Sequence, residues 1–488
     1  RGEFIEMMVG SHNYQLLKRV KQLFDPEGVF NQGKIIDTPP MNSSLRFEPG
    51  HRTPEFKTYF DYSREGGFMK LIEKCNGSGD CRKTELTGGT MCPSYMATRD
   101  EFTTTRARAN VLRELLGRGN VSEPFNQHGI YEVLDLCLSC KACKSECPSN
   151  VDMAKLKAEF MQHWYEHHPV PLRTRLIAHI TRINRLGLLL PGVFNWTVTQ
   201  KRVSALLKKA LGFAAPRSIP TIGKSSLRKW AGRHLPALNA TLPDDAPEVV
   251  LYVDEFTDYN DVSLGITAVR LLNRLGIRVK IVAHPISART FISKGLLKRS
   301  KKLARRNILK LEKHVSGDSP LVGIEPSAIL GFRDEFPDLV GDDLRQRALS
   351  LSEHCFTVEE YLSEAFKNGR IDRGLFTTHK AIVKLHGHCQ QKAVASTAPS
   401  LEILSIPQNY KVEEIPSGCC GMAGSFGYEK EHYDVSMKVG ELVLFPAIRN
   451  SGGKTIIAAP GTSCRHQIKD GTGEQALHPL EVLYRALH

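Results

Sequence analysis

The stretch Cys137-Leu138-Ser139-Cys140-Lys141-Ala142-Cys143-Lys144-Ser145-Glu146-Cys147-Pro148 decides how this chain is read. Its spacing is C-x-x-C-x-x-C-x-x-x-C-P, a run that carries iron–sulfur clusters. Two-residue gaps curl the backbone so that Cys137, Cys140 and Cys143 converge on one inorganic cube. The fourth cysteine, before Pro148, turns away and reaches a neighbouring cluster. Thiolates suit iron because both partners are soft. The bland alternative is a zinc site or buried free cysteines, and four cysteines at this spacing followed by proline argue against it.

Upstream lies a degenerate half-motif, Cys75-Asn76-Gly77-Ser78-Gly79-Asp80-Cys81, followed by a longer loop to Cys92-Pro93. The full run is that of bacterial-type ferredoxins, in which the two half-motifs cross. In that arrangement Cys92 completes the [4Fe–4S] cube of Cys137, Cys140 and Cys143. Cys75, Cys81 and Cys147 remain together, with Ser78 where a middle cysteine belongs. Three thiolates without a middle ligand suit a [3Fe–4S] cluster. The alternatives are a structural role for the three, or a four-iron cluster with a non-cysteine ligand. A cluster with four thiolates is anionic, so Arg82, Lys83, Arg99, Arg106, Arg108, Lys141 and Lys144 are expected to balance charge and tune potential. For each of them taken singly, solvated surface charge is the competing reading.

The 12 cysteines fall in two groups, seven between Cys75 and Cys147 and five between Cys355 and Cys464. No secretory signal opens the chain, so metal or redox chemistry is a better use for them than disulfides. The 488 residues suggest roughly two to four domains. A formal net charge of +14 fits an anionic membrane surface or an acidic protein partner, with plain solubility as the alternative. No nucleic-acid motif is present. No stretch reaches the ~18 consecutive apolar residues of a membrane span. The best candidate, Leu186 to Val198, is broken by Gly187, Pro191 and Asn195.

Five segments follow. Residues 1–36 form one helix and a turn, ended by Asp25-Pro26-Glu27-Gly28; residues 37–60 are a Pro- and Ser-containing linker that includes Pro49-Gly50. Residues 61–165 hold the first cysteine group, with helices predicted over Thr103–Leu116 and Asp152–His168. Residues 166–245 are a basic helical connector. Residues 246–488 alternate strands with helices, with apolar runs at 249–253, 279–282, 321–324, 381–385 and 455–459. That alternation predicts an α/β domain with a largely parallel sheet.

In this last domain His386-Gly387-His388-Cys389, Gly418-Cys419-Cys420-Gly421-Met422-Ala423-Gly424 and Gly461-Thr462-Ser463-Cys464-Arg465 each follow a strand. Loops after parallel strands gather at one edge, so the three can meet. Cys389, Cys419, Cys420 and Cys464 are a candidate third site, for a metal or cluster or as a redox thiol pair; the alternative is vestigial structure. His386, His388, His432 and His466 are read as satisfied loop residues, and Cys355 as a core cysteine. A worn repeat is visible: Asp254-Glu255-Phe256-Thr257-Asp258-Tyr259 stands where His388-Cys389 does, Ala283-His284-Pro285 where the Cys-Cys-Gly loop does, and Glu325-Pro326-Ser327-Ala328 where Gly461–Cys464 does. The basic run Lys294 to Arg306 predicts a cationic helix with Leu297, Leu303 and Ile308 inside, either solvated or docking to an acidic carrier or an anionic membrane.

The segment Met91-Cys92-Pro93-Ser94-Tyr95-Met96-Ala97-Thr98-Arg99-Asp100-Glu101, with Thr105-Arg106-Ala107-Arg108-Ala109-Asn110, resembles fusion enzymes that join an FAD-linked oxidase to a ferredoxin-like domain. These are of the D-lactate, glycolate and D-2-hydroxyglutarate dehydrogenase type. The constellation around Cys419-Cys420-Gly421 resembles the cysteine-rich CCG domain of heterodisulfide reductases and glycolate oxidase iron–sulfur subunits. Lys18 to Ile35 is similar to the last segment of the FAD-linked oxidase domain, with Gln32 in place of the usual proline; the resemblance makes Asn31 a candidate flavin-proximal contact. It also implies an FAD domain upstream of the abrupt start at Arg1-Gly2-Glu3, and with it the catalytic residues.

The resemblance therefore implies an α+β multidomain chain: a helical ferredoxin-like iron–sulfur domain followed by an α/β two-repeat CCG-type domain. The expected function is the electron-transfer portion of an FAD-dependent 2-hydroxyacid dehydrogenase, cytoplasmic or peripheral on the inner face of the cell membrane. Electrons pass to a quinone, an electron-transfer flavoprotein or a cytochrome. The alternatives are a stand-alone electron-transfer subunit docking to a separate flavoprotein, and a zinc-stabilised adaptor.

Overall fold

The computed structural model describes residues 2–45, 50, 52–117 and 122–488. Arg1 and Pro49, on which parts of the reading above fall, lie outside the described residues. The chain divides into two compact units, Arg1–Pro54 and Glu55–His488.

In the first unit a helix runs over Ile5–Phe24 and is kinked at Gly10 (φ 79). Asp25 ends it. Its carboxylate accepts the N–H groups of Val29 (2.7 Å) and Phe30 (2.9 Å) and the side-chain amide of Gln32 (3.0 Å). A bond from Lys21, reinforced by these N–H groups against desolvation, holds the carboxyl down to about 2. Gln32 thus works as a partner in the turn, while Asn31 is exposed at φ 43.

The second unit opens with short helices around the cysteine-rich loops. Helices Thr105–Gly117 and Met153–His167 match the two predicted from periodicity. Their starts differ by one or two residues for local reasons: Thr103 belongs to a 3₁₀ turn, and Asp152 is an N-cap whose carboxylate accepts the Lys155 N–H at 3.1 Å. The connector is a chain of helices over Leu172–Ala178, Ile180–Gly187, Pro191–Thr199, Lys201–Leu211 and Leu227–Asn239.

Seven strands follow: β1 Glu248–Tyr252, β2 Arg278–Lys280, β3 Leu321–Gly323, β4 Cys355–Thr357, β5 Ala381–Leu385, β6 Tyr410–Glu414 and β7 Thr455–Ala458. They form two sheets rather than one, in the orders β2-β1-β3-β4 and β6-β5-β7. Every pairing is parallel. Each sheet puts its first strand in the middle with the second and third on either side, so the worn repeat of the sequence is also a repeat of topology. Val249, Val250, Leu251 and Tyr252 of β1 are all fully buried, which is why that strand reads as an unbroken apolar run. β6, an edge strand of half-exposed and exposed residues, and β4, three residues long, gave no such run. Cys355 sits buried in β4 with its thiol donating to the Leu351 carbonyl.

Candidate metal centres

Cys137, Cys140 and Cys143 lie on one tight loop. Ser139 (φ 51) and Lys141 (φ 65) take left-handed backbone conformations that residues with a Cβ seldom adopt. Alternating those turns with the cysteines brings the three thiols to one wall of a small cleft. Cys92 reaches the same cleft as the N-cap of helix Pro93–Thr98, whose first position is proline. Met91, Leu138 and Met153 complete the lining with apolar surface.

Arg108 and Lys141 both border this cleft, and Arg108 is the one whose side chain bonds a thiol. Arg108 is buried, and its guanidinium donates to Cys92 Sγ (3.4 Å), Ser94 Oγ (3.0 Å) and the Val133 carbonyl (3.0 Å), none of them a carboxylate. Burial drives the Cys92 thiol up, but Arg108 and Ser94 outweigh it and hold Cys92 below the ordinary thiol range. Cys140 and Cys143, lacking such a partner, are pushed well up by burial, then Cys140 by neighbouring thiolates and Cys143 by the Asp152 carboxylate. A buried guanidinium bonded to Cys92 and near Cys137 and Cys143 supplies countercharge for an anionic thiolate-held cluster, so the donor set fits an iron–sulfur cluster.

The other basic residues do something else. Lys141 is buried but turned away from the thiols, against Asp334 (2.5 Å) and Glu335; Lys144 also pairs with Asp334, and Arg289 with Glu335 (2.5 Å). The two lysines hold the Asp334 carboxyl far below its usual value despite its burial. Arg82 and Arg106 pair with Glu101, and Arg99 with Glu85, at the surface. Of the seven expected charge balancers, Arg108 is the one bonded to a cysteine sulfur through its side chain. The lysines instead anchor the strained cysteine loop to the α/β region. Sequence could not supply that, because Asp334 lies 193 residues from Lys141.

Cys81 accepts the Arg106 N–H at 3.4 Å, and its thiol is raised by burial and by its neighbours Cys92 and Cys75. Cys147 is half-buried one residue after Glu146, whose carboxylate accepts the N–H groups of Thr90 and Met91 and so ties the end of the motif to the Cys92 loop. Glu146 was not singled out from the sequence.

The second constellation forms at the C-terminal ends of β5, β6 and β7. Cys389, Cys419, Cys420 and Cys464 are all buried, and their thiols adjoin in the order Cys389, Cys419, Cys420, Cys464 closely enough to shift one another's titration. The neighbouring Cys419 thiol brings Cys389 down to about 7 against its burial, with His388 helping. Cys420, with Cys419 and Cys464 on either side and His386 beside it, is lowered well below an ordinary thiol, and the two flanking thiols are raised. Gly421 is needed here: φ is +94, and a Cβ would sit 2.2 Å from the Ser436 carbonyl. The two constellations adjoin, since Cys389 is close enough to raise the Cys140 thiol and a Cβ on Gly418 would meet the Gly89 carbonyl at 2.8 Å. Carboxylates from the first repeat close over the second: Glu325 accepts the Thr462 N–H at 2.8 Å and lies 3.9 Å from His388 Nε2.

Residues 71–151 match the 4Fe-4S dicluster domain family, so a domain of that kind is present in this chain. Over 99% of its length the chain is similar to D-2-hydroxyglutarate dehydrogenase of Escherichia coli (strain K12), at 25% identity across 527 residues and 50% of that protein. It is also similar to a subunit of the anaerobic glycerol-3-phosphate dehydrogenase of Escherichia coli (strain K12), at 25% identity over 65% of this chain and 77% of that relative. The glycolate oxidase iron-sulfur subunit of the same organism is 30% identical over 17% of each chain. No solved structure matches. The chain spans about half the length of the D-2-hydroxyglutarate dehydrogenases it matches. These relatives are oxidoreductases, and with the dicluster domain they support a redox role in general.

Proposed function

We propose that this chain is the iron–sulfur electron-transfer portion of an FAD-dependent 2-hydroxyacid dehydrogenase, passing electrons from a flavin bound upstream to a carrier or quinone. The observation that carries this reading is the convergence of Cys92, Cys137, Cys140 and Cys143 on one cleft with Arg108 as its only buried cation bonded to a thiol among the described residues. These four residues would hold a [4Fe–4S] cluster, which accepts one electron at a time with little rearrangement. The apolar lining keeps water from the thiolates, Arg108 offsets their charge, and the Lys141–Asp334–Glu335 ion pairs fix the loop. Cys75, Cys81 and Cys147 would hold the second cluster of the dicluster domain, of the [3Fe–4S] type. The domain divisions at residues 61–165, 166–245 and 246–488, and the flavin proximity of Asn31, belong to the same proposal.

A second reading, a stand-alone subunit docking to a separate flavoprotein, is favoured by one observation: two of the relatives are named as subunits. Either reading is tested by Cys140→Ser in anaerobically purified protein. Iron, acid-labile sulfide and visible absorbance are expected to fall by the share of one cluster; full retention of all three would remove the assignment.

The acceptor side carries its own proposal. No helix among the described residues is long and apolar enough to cross a membrane. Yet Leu186, Leu189, Leu190, Val193, Trp196 and Leu206 are large apolar side chains left exposed on successive connector helices and the turn between the first two of them, beside exposed Arg182, Arg185, Lys201 and Arg202. Apolar wedges rimmed by cations suit an anionic bilayer surface. Flotation with vesicles containing anionic lipid is expected to carry the protein, and Leu189→Asp with Trp196→Asp to weaken binding at least tenfold. Failure of the unaltered chain to float would end this reading.

A further inference from the structure

The cationic helix expected between Lys294 and Arg306 forms over Leu297–Leu311. Leu297, Leu303, Ala304, Ile308 and Leu311 are buried along one face and hold it in place. On the other face Lys298, Lys302, Arg306 and Lys310 recur at every fourth residue, with Arg299 beside them, and all five are exposed. Residues four apart are neighbours on a helix, so the four form one stripe about 18 Å long at 1.5 Å per residue. Among the described residues none of the five has an ion-pair partner. The cations at its margin do: Arg305 pairs with Asp343 (2.6 Å), and Arg347 pairs with Glu312. Local physics disfavours the stripe. Like charges four apart destabilise a helix. Lys298 and Arg299 also stand in a first turn that has no acid, at the positive end of the helix dipole. The field of these cations is therefore not used within the chain.

The helix is built on the elements that hold the four-cysteine cleft. It packs on Met153–His167 and on Glu335–Leu339. Gln162 accepts the Lys298 N–H at 2.9 Å. At the start of the same supporting helix the Met153 N–H donates to Cys143 Sγ at 3.4 Å. The nine residues between Met153 and Gln162 span about 14 Å. Asp334 and Glu335, which hold Lys141 of the cysteine loop, open the second supporting element. The composition of the stripe points to the kind of partner. A bilayer-seeking face carries apolar wedges among its cations, as the connector does; here Leu309, 39% exposed, is the one large apolar side chain among them. No aromatic residue interleaves the cations to stack on bases. An acidic protein surface is the complement that remains.

We propose that the outer face of helix Leu297–Leu311 is the docking surface for an acidic one-electron carrier protein; this rests on the electron-transfer reading of the four-cysteine cleft. One electron passes in each encounter, and no bond is made or broken. The test uses the full chain, purified anaerobically, with an acidic [2Fe–2S] ferredoxin as probe. Binding is measured at about 10 mM and about 150 mM ionic strength, where charges are felt over about 30 Å and about 8 Å. Lys298→Glu, Lys302→Glu, Arg306→Glu and Lys310→Glu together are expected to weaken binding at low salt about tenfold or more and to flatten its salt dependence. The same four positions changed to Gln give a smaller loss, and carry the test should the Glu variant prove insoluble. Reversing Arg182, Arg185, Lys201 and Arg202 on the connector changes net charge equally and is expected to leave ferredoxin binding within about twofold. Flotation with anionic vesicles stays unchanged in the stripe variants. No binding by the unaltered chain, binding undiminished in the stripe variants, or an equal loss in the connector variant would each overturn the proposal. So would loss of flotation with the stripe, which would make a bilayer its occupant. Failure of the cluster assignment has a different signature, iron and sulfide unaffected by Cys140→Ser, and is read without the ferredoxin.

Discussion

The two halves of the α/β region share a strand order and differ in almost everything placed at the strand ends. After β1 and β3 the first half carries Asp254, Glu255 and Glu325, all buried; after β5, β6 and β7 the second carries His386, Cys389, Cys419, Cys420 and Cys464. The central strands differ too. β1 is sealed on both faces, whereas Ile382 of β5 is 48% exposed. The difference teaches that the frame and the chemistry are separable: parallel strands deliver loops to one edge, and the residues in the loops decide what that edge does. The first half has become the lid of the second, through Glu325 on Thr462 and Asp261 on Arg465 (2.5 Å).

Breaking the second half's turn should have the largest effect. Gly421→Ala forces a side chain into a left-handed conformation and against the Ser436 carbonyl. Strain and overpacking together should cost about 3–5 kcal/mol in urea unfolding, with the grouping of the thiols disrupted. Unfolding at the wild-type midpoint would mean that the turn is not what sets Cys419 and Cys420 on one site.

A smaller effect separates the central strands. Val249 and Ile382 are the second residues of β1 and β5, one fully buried and the other about half-exposed. Val249→Ala should cost about 2–3 kcal/mol, and Ile382→Ala about 1 kcal/mol or less. Equal costs would mean that the two sheets are buried alike.

A pH dependence from carboxylates raised by burial belongs to the first half. Burial, then Glu255, pushes Asp254 up to about 7, and burial pushes Glu359, whose carboxylate oxygens have no partner, up to about 8. Both folded values lie above the ordinary 3.8 and 4.5. Their contribution to stability is therefore complete below pH 4, declines as pH rises, and is gone once pH passes the folded values. The limit is about 1.4 kcal/mol per pH unit for each group. Asp254→Asn keeps an N-cap and should flatten the decline between about pH 4 and pH 7. An unchanged slope in chemical unfolding would show that Asp254 is ionised throughout.

The periodicities and the cysteine spacing were legible without the fold. The helices at 105–117 and 153–167, five of the seven strands and both thiol groups follow from local pattern, which chain geometry enforces over a few residues. β4 and β6 escaped because a three-residue strand and a half-exposed edge strand leave no apolar run. The seven basic residues near the first motif looked alike in sequence, and so did the four histidines near the second.

What the sequence determined by itself was therefore which sulfurs converge: thiols two residues apart, or at the ends of adjacent parallel strands, can hardly avoid meeting. What only the tertiary structure decided was the company they keep. Arg108 turns inward to Cys92, Lys141 turns away to Asp334, and Glu325 reaches Thr462. The reason is physical. A buried charge or polar atom must find a counterpart wherever the fold offers one, and those counterparts come from anywhere in the chain, so no local pattern records them.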